Sequence, residues 1–291
     1  MRQGVTACVV LMLLLACQQP RPADSQLEAM SAVYYWRTEF RLDSTERNFL
    51  KAHDIGTIYC RYFDVVQDEK LGPVPNATLR LAAPVPEGVN WVPTVFVVED
   101  CMRGQPDSLA VKIVQRIAQM NETNDILGVK EIQIDCDYTR RSRETYYQFL
   151  KVVAREADKQ GWRLSVTIRL HQLSMPAPPA DEGVLMLYNT GTLEKADERN
   201  PILDLRDVLP YVRYLKDYDL PLAAAYPVFL WQRRVHGVSI EHEADIDEVK
   251  RVKQTVEKER ADLRRRIITY DLSEENINRY RTNDYETIYQ H

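Results

Sequence analysis

The sequence predicts an α/β protein folded as a single (β/α)8 barrel of the TIM type, and three observations lead there. Eight short runs rich in β-branched and aromatic residues alternate with longer stretches of helical period, the pattern of parallel strands joined by right-handed crossovers. Charged and polar residues gather where those runs end, which is the rim at which such barrels build their sites. The 291 residues, 45% of them hydrophobic, suffice for one sizeable core and have the composition of an ordinary globular domain. A net charge of -5 disfavours nucleic acid as a partner and says little about a neutral ligand such as a sugar.

In chain order, residues 1–16 read as an export signal. Arg2 supplies the positive start, Val5 to Leu15 the apolar run, and Leu14-Leu15-Ala16-Cys17 a cleavage box that resembles the lipobox of bacterial lipoproteins. The apolar run of about 12 residues gives roughly 18 Å of helix, short of a bilayer core of about 30 Å. Cys17 is therefore expected to carry lipid, with residues 17–28 as a tether and residues 29–291 as the barrel. The expected location is the bacterial cell envelope, anchored at the outer membrane on its periplasmic or surface face. Cys8 would leave with the signal, so Cys60, Cys101 and Cys136 remain. An odd number argues against a complete disulfide framework, and no spacing among them suits zinc.

The expected strands are Val33 to Thr38, Thr57 to Asp64, Val92 to Val98, Glu131 to Asp137, Arg163 to Leu170, Val184 to Asn189, Leu222 to Phe229 and Ile267 to Asp271. Amphipathic helices are clearest over Asp107 to Met120, Ser142 to Lys159 and Asp204 to Tyr218. Caps are expected at Asp43 with Glu46 three residues on, at Asp107 or Ser108, at Ser142 and at Ser273. Leu71 to Asn90, with four prolines, reads as a long loop. Glu241 to Arg266 reads as a charged surface helix with Ile246, Val249, Val252 and Val256 on its apolar face, and the basic run Arg264 to Arg266 as its solvated end.

The most informative segment is Ile132 to Tyr138. On a strand, Ile132, Ile134 and Cys136 point one way while Gln133, Asp135 and Asp137 point the other. The two carboxylates would stand about 7 Å apart on one face, close enough to perturb each other and to reach one ligand. Aspartate is a poor strand former, so a polar site is the expected reason. On the next strand Ser165, Thr167, Arg169 and His171 share a face, which sets Arg169 beside Asp135 or Asp137; a purely structural ion pair explains that equally well. Arg61, Asp64, Gln172, Tyr188, Asn189, Tyr226 and Trp231 complete the expected rim. Tyr226 and Trp231 can stack on sugar faces, though plain core aromatics account for them nearly as well. A metal site formed by His171 with the aspartates lacks a second histidine at ligand spacing, and no metal or other cofactor is expected. The glycine-serine elbow, the phosphate loop, the zincin helix and the dinucleotide fingerprint are all missing from the sequence.

Gln133-Ile134-Asp135-Cys136-Asp137-Tyr138 is similar to the fourth-strand signature of glycoside hydrolase family 18, Asp-x-Asp-x-Glu. Leu185-Met186-Leu187-Tyr188-Asn189 resembles that family's sixth-strand Met-x-Tyr-Asp. Asp135 and Asp137 match the two aspartates, Met186 and Tyr188 the Met and Tyr, and Asn189 the final Asp. The family's catalytic Glu falls on Thr139, which cannot protonate a glycosidic oxygen. Most of the chain also resembles an uncharacterised group of bacterial lipoproteins with hydrolase-like barrels. The shared segments are Tyr35-Trp36-Arg37-Thr38, Arg61-Tyr62-Phe63-Asp64, Gln133 to Tyr138, Thr167-Ile168-Arg169-Leu170-His171-Gln172 and Tyr188-Asn189. These resemblances imply the barrel, an envelope location and a carbohydrate ligand. The expected function is binding and hydrolysis of a glycan, with Asp137 as acid, Asp64 as its partner and Asp135 held by Arg169. The alternative is a non-catalytic glycan-binding or scaffold lipoprotein.

Overall fold

In a computed structural model, the described residues are 30–191, 199–235 and 238–291. The export signal, Cys17 and the tether lie outside them. Eight parallel strands form the barrel: β1 (Met30–Tyr35), β2 (Ile55–Asp68), β3 (Asn90–Val97), β4 (Glu131–Asp135), β5 (Arg163–Ile168), β6 (Glu182–Met186), β7 (Leu222–Pro227) and β8 (Arg266–Tyr270). Each pairs with the next, as in Thr94 with Gln133 and Ile134 with Val166. Pairing of Val33 with both Ile58 and Thr269 closes the cylinder through β1. All eight expected runs overlap these strands.

The surrounding helices include α1 (Ser44–Ala52), α2 (Pro106–Thr123), α3 (Arg143–Asp158), α4 (Leu205–Val212) and α5 (Ile246–Glu259). Asp43 forms the expected capping box with Glu46, and Ser273 caps the short helix that follows it. α2 instead starts at Pro106, with no side-chain cap from Asp107 or Ser108. Ser142 stands at the N-cap of α3, but its hydroxyl is turned to Glu99, 2.6 Å away. α4 is shorter than its pattern: Pro210 lies inside it, removing a backbone donor, and the helix ends two residues later. The proline-rich stretch after β2 is not all loop. β2 runs on to Asp68, turns at Gly72 with φ 73°, and pairs antiparallel with Gly72–Asn76. Pro73 and Pro75 are tolerated because this is an edge strand.

Apolar side chains on the outward faces of the strands pack under the helices; Ile132, Ile134, Val166, Val249, Val252 and Val256 are all buried. The inward faces are polar, in three layers that β4 supplies at period two. At the base, Arg266 lies 3.1 Å from Glu131 and 3.2 Å from Glu182, and its guanidinium also donates to the hydroxyl of Tyr59. In the middle, Tyr34 donates to Gln133 at 2.8 Å and Gln133 donates to Ser165 at 3.4 Å. At the top, Thr167 donates to Asp135 at 2.6 Å. The base corrects one expectation: Arg266 is no solvated helix end but a buried cation, 8% exposed.

Candidate functional site

The rim is built from the residues that follow the strands. Asp135, the last residue of β4, is 3% exposed and accepts a hydrogen bond from Thr167. Burial pushes its carboxyl up to about 6, against the opposing pull of Arg169. Two residues on, the chain has left the strand and Asp137 stands half exposed. Arg169, just past β5, donates to both its oxygens, from Nε to Oδ1 and from Nη2 to Oδ2 at 3.4 Å. The expected pairing of Arg169 with Asp135 is thus corrected: the hydrogen-bonded partner is Asp137, and Asp135 acts on the guanidinium through its field. Burial works against the charge of Arg169, but Asp135 and Asp137 outweigh it and raise its pKa.

On β2 the outward step of one bulge between Arg61 and Phe63 brings Arg61 and Asp64 together. Arg61 grips Asp64 with Nε at 2.8 Å and with Nη2, and its Nη1 donates to the Trp36 carbonyl at 3.3 Å. The guanidinium lies 5.7 Å from the Trp36 ring. Beside these pairs runs an aromatic wall. Tyr188 stacks on Tyr270 at 4.8 Å, Trp36 and Phe229 meet Tyr270 edge-on or tilted at 5.8 and 5.6 Å, and Arg169 lies 5.9 Å from the Tyr188 ring. Tyr188 is 3% exposed, and its hydroxyl has no hydrogen-bond partner among the described residues.

Glu99 and Thr139 occupy the next sector. One oxygen of Glu99 accepts from the Thr139 amide at 3.1 Å, the Thr139 hydroxyl at 2.6 Å and the Ser142 hydroxyl at 2.6 Å. Burial raises this carboxyl, but those hydrogen bonds outweigh it and hold it below the usual range. Opposite, Asp271 follows β8, takes a 2.6 Å hydrogen bond from Asn276, and is pushed up to about 6 by burial.

Of the expected rim residues, Arg61, Asp64, Asp135, Asp137, Arg169 and Tyr188 converge. Gln172 does not face a ligand: it is fully buried, its amide donates to the carbonyls of Cys136 and Tyr138 at 3.3 and 3.0 Å, and its oxygen accepts from the Arg169 amide at 2.8 Å. It positions the two loops that carry Asp137 and Arg169. Tyr226 points the other way, into the seam beneath α5, where Glu257 is its electrostatic neighbour. Trp231 sits on a hairpin (Leu230–Val235 with Val238–Glu243) and stacks on His242 at 5.7 Å. His171 is exposed, 3.4 Å from the Tyr138 carbonyl, and Asn189 is exposed in left-handed backbone with φ 53°. Among the described residues, no three His, Cys, Asp or Glu side chains are grouped to hold a metal ion. Sequence reasoning passed over Trp36 and Tyr270 as rim residues. Their signal was position alone, one residue past β1 and at the very end of β8.

A cavity of about 640 Å³ opens at the opposite end of the barrel, between Arg163, Glu182, Arg260, Asp262 and Arg266. Arg260 is already bound to Asp262 and to the carbonyls of Leu215, Tyr218 and Leu220. Glu182 and Arg266 are likewise bound to each other at 3.2 Å, so the charges at its floor are spent on one another.

Because Asp135 is neutral more readily in the folded than in the unfolded chain, it has a stability signature. Its folded pKa lies above the ordinary aspartate value, so the folded protein holds a proton between pH of about 4 and 6 that the unfolded chain has lost. Stability therefore falls as pH rises through that window and stays lower above it. Asp135→Asn, which keeps an acceptor for Thr167, is expected to raise stability at pH of about 8 by about 1–3 kcal/mol and flatten the slope. Urea denaturation at several pH values checks this; an unchanged slope would refute the burial argument.

No family model matches the chain, and no curated protein does. Solved structures do match in fold. The spore cortex-lytic enzyme SleL of Bacillus cereus is 13% identical with a TM-score of 0.58, over 90% of this chain and 74% of that one. A chitinase from Chromobacterium violaceum is 12% identical with a TM-score of 0.59, over 89% and 98%. The Group IV chitinase of Ostrinia furnacalis is 10% identical with a TM-score of 0.53, over 90% and 98%. The chain is thus a closed eight-stranded barrel of the architecture found in these proteins. At such identities the likeness is one of fold.

Proposed function

We propose that this protein binds a glycan at the barrel rim and that it does so as a lipoprotein of the bacterial envelope, held by lipid on Cys17. The observation that carries the binding reading is the aromatic wall of Trp36, Tyr188, Phe229 and Tyr270 set beside the Arg61–Asp64 and Arg169–Asp137 pairs. Planar rings next to fixed charged donors and acceptors suit the apolar faces and hydroxyl edges of sugars. The shared fold with chitinases supports the same class of ligand.

Binding is favoured over hydrolysis by the state of the expected acid pair. Asp137 and Asp64 each accept from an arginine on both oxygens, an arrangement that suits holding the guanidinium better than donating to a glycosidic oxygen. Thr139 supplies no carboxyl. Hydrolysis stands as a second reading because of Asp135: a carboxyl raised to about 6 is near the range a general acid needs at neutral pH.

Calorimetric titration with hexosamine and neutral oligosaccharides tests the first reading. Trp36→Ala is expected to weaken binding about tenfold or more without changing the fold; saturable binding indifferent to Trp36 would move the ligand elsewhere. Product analysis of the same mixtures separates the readings, since release of shorter sugars, abolished in Asp135→Asn, would establish hydrolysis.

A further inference from the structure

On a regular strand, residues three apart face opposite sides, yet Arg61 and Asp64 of β2 meet. The extra residue is Tyr62. Arg61 pairs with Thr94 and Phe63 with the next residue, Val95, so Tyr62 stands unpaired in the ladder as a bulge. Its side chain is fully buried and turned toward α2, where the hydroxyl donates to Asn121 at 2.6 Å and accepts from the Trp91 indole at 2.8 Å. Its carbonyl accepts from the Leu79 amide at 2.7 Å. The bulge is thus fixed from outside the barrel, and it brings Arg61 and Asp64 to one side.

That pair is engaged with itself and with Trp36. Nε and Nη2 of Arg61 donate to the two oxygens of Asp64, Nε at 2.8 Å, and Nη1 donates to the Trp36 carbonyl at 3.3 Å. All three guanidinium nitrogens therefore have an acceptor within the protein. The guanidinium carbon lies 5.7 Å from the centre of the Trp36 ring, within range of a cation–π contact. The Asp64 side chain is 11% exposed, against 49% for Asp137 in the other pair. Asp137 is open to a ligand, whereas Asp64 is placed to hold Arg61. Trp36 itself lies one residue beyond β1, outside the ladder, so strand pairing does not set its ring. The ring meets Tyr34 edge-on and Tyr270 at a tilt, each at 5.8 Å, and Arg61 adds a hold on both ring and backbone.

Resting on the carbohydrate reading above, we propose that Arg61 and Asp64 are positioning residues: Asp64 fixes the guanidinium, and the guanidinium sets the Trp36 ring on which a sugar stacks. Asp64, expected from the sequence as an acid partner, takes this role instead. A lysine at 61 would keep a charge near the ring, but it lacks the planar fork that grips both oxygens of Asp64 while reaching the Trp36 carbonyl. Asparagine at 64 would keep the shape of the side chain and lose one of its two acceptors.

The test combines calorimetric titration of the full chain, using N-acetylglucosamine and glucose hexamers, with the proton resonance of the Trp36 indole N–H, assigned by its loss in Trp36→Phe. Asp64→Asn and Arg61→Lys should each weaken the tighter-binding hexamer about fivefold. In a Trp36→Ala background the same changes should cost less than about twofold, because a residue that acts through the ring has nothing left to act on. The Trp36 resonance should move in Asp64→Asn before any sugar is added, and this conservative variant keeps the test independent of how Arg61→Lys folds. Losses that add in full in the double variants overturn the proposal and make the pair a direct ligand contact. Wild-type affinity in Arg61→Lys overturns it too, since charge alone would then suffice, as does a Trp36 resonance unmoved in Asp64→Asn. If neither hexamer binds the wild type, the carbohydrate reading falls, and the resonance alone decides whether Asp64 sets the ring.

Discussion

Arg266→Met is expected to cost about 3–5 kcal/mol of stability. The guanidinium is 8% exposed and stands between two carboxylates, Glu131 at 3.1 Å and Glu182 at 3.2 Å, at the base of the barrel. Methionine fills similar space but leaves both carboxylates facing each other without their cation. Burial already raises Glu182, with Arg266 opposing; without Arg266 the opposition is gone. The folded mutant should then hold a proton that the unfolded chain has released, so its deficit should grow as pH rises from about 5 to about 8. Guanidinium denaturation across that range measures both numbers. A loss under about 1 kcal/mol, constant with pH, would mean that water rather than Arg266 satisfies the pair.

Gln172→Leu comes next, at about 3–5 kcal/mol, for a different reason. Leucine fills the volume but orphans the Cys136 carbonyl and the Arg169 amide, and leaves the Tyr138 carbonyl only its 3.4 Å contact with His171. Each buried group left unpaired costs about 1–3 kcal/mol. The same bonds fix the loops that hold Asp137 and Arg169, so glycan affinity should fall along with stability. Gln172→Glu separates the two effects, because a carboxylate keeps the acceptor for the Arg169 amide and loses both donors. Hydrogen exchange at the Arg169 amide should remain slow in Gln172→Glu and become fast in Gln172→Leu. Slow exchange in both would show that the loops are held by something else.

The barrel itself was legible because parallel strands buried on both sides are written in β-branched runs, and Val92 to Val98 or Arg163 to Leu170 scarcely read as anything else. What escaped was phase. A polar interior makes inward and outward faces hard to tell apart wherever both are apolar, and Leu222 to Phe229 is such a run; Tyr226 was assigned to the mouth and lies under α5. On β4 the alternation was unambiguous, so the inward position of Asp135 was readable. Which partner Arg169 would choose was not, because the chain leaves the strand between Asp135 and Asp137. Arg266 was hidden by its neighbours: Arg264 and Arg265 are exposed, and nothing in a run of three arginines says that the third starts a strand. Prolines at 73 and 75 read as loop because sequence does not reveal which strand lies at an edge.

β1 enters the barrel at Met30, at the base, and the eight barrel strands run from there toward the rim. Were Cys17 lipidated as proposed, the anchor would join the barrel from its floor, and the mouth that carries Trp36 and Asp137 would be the end remote from the attachment.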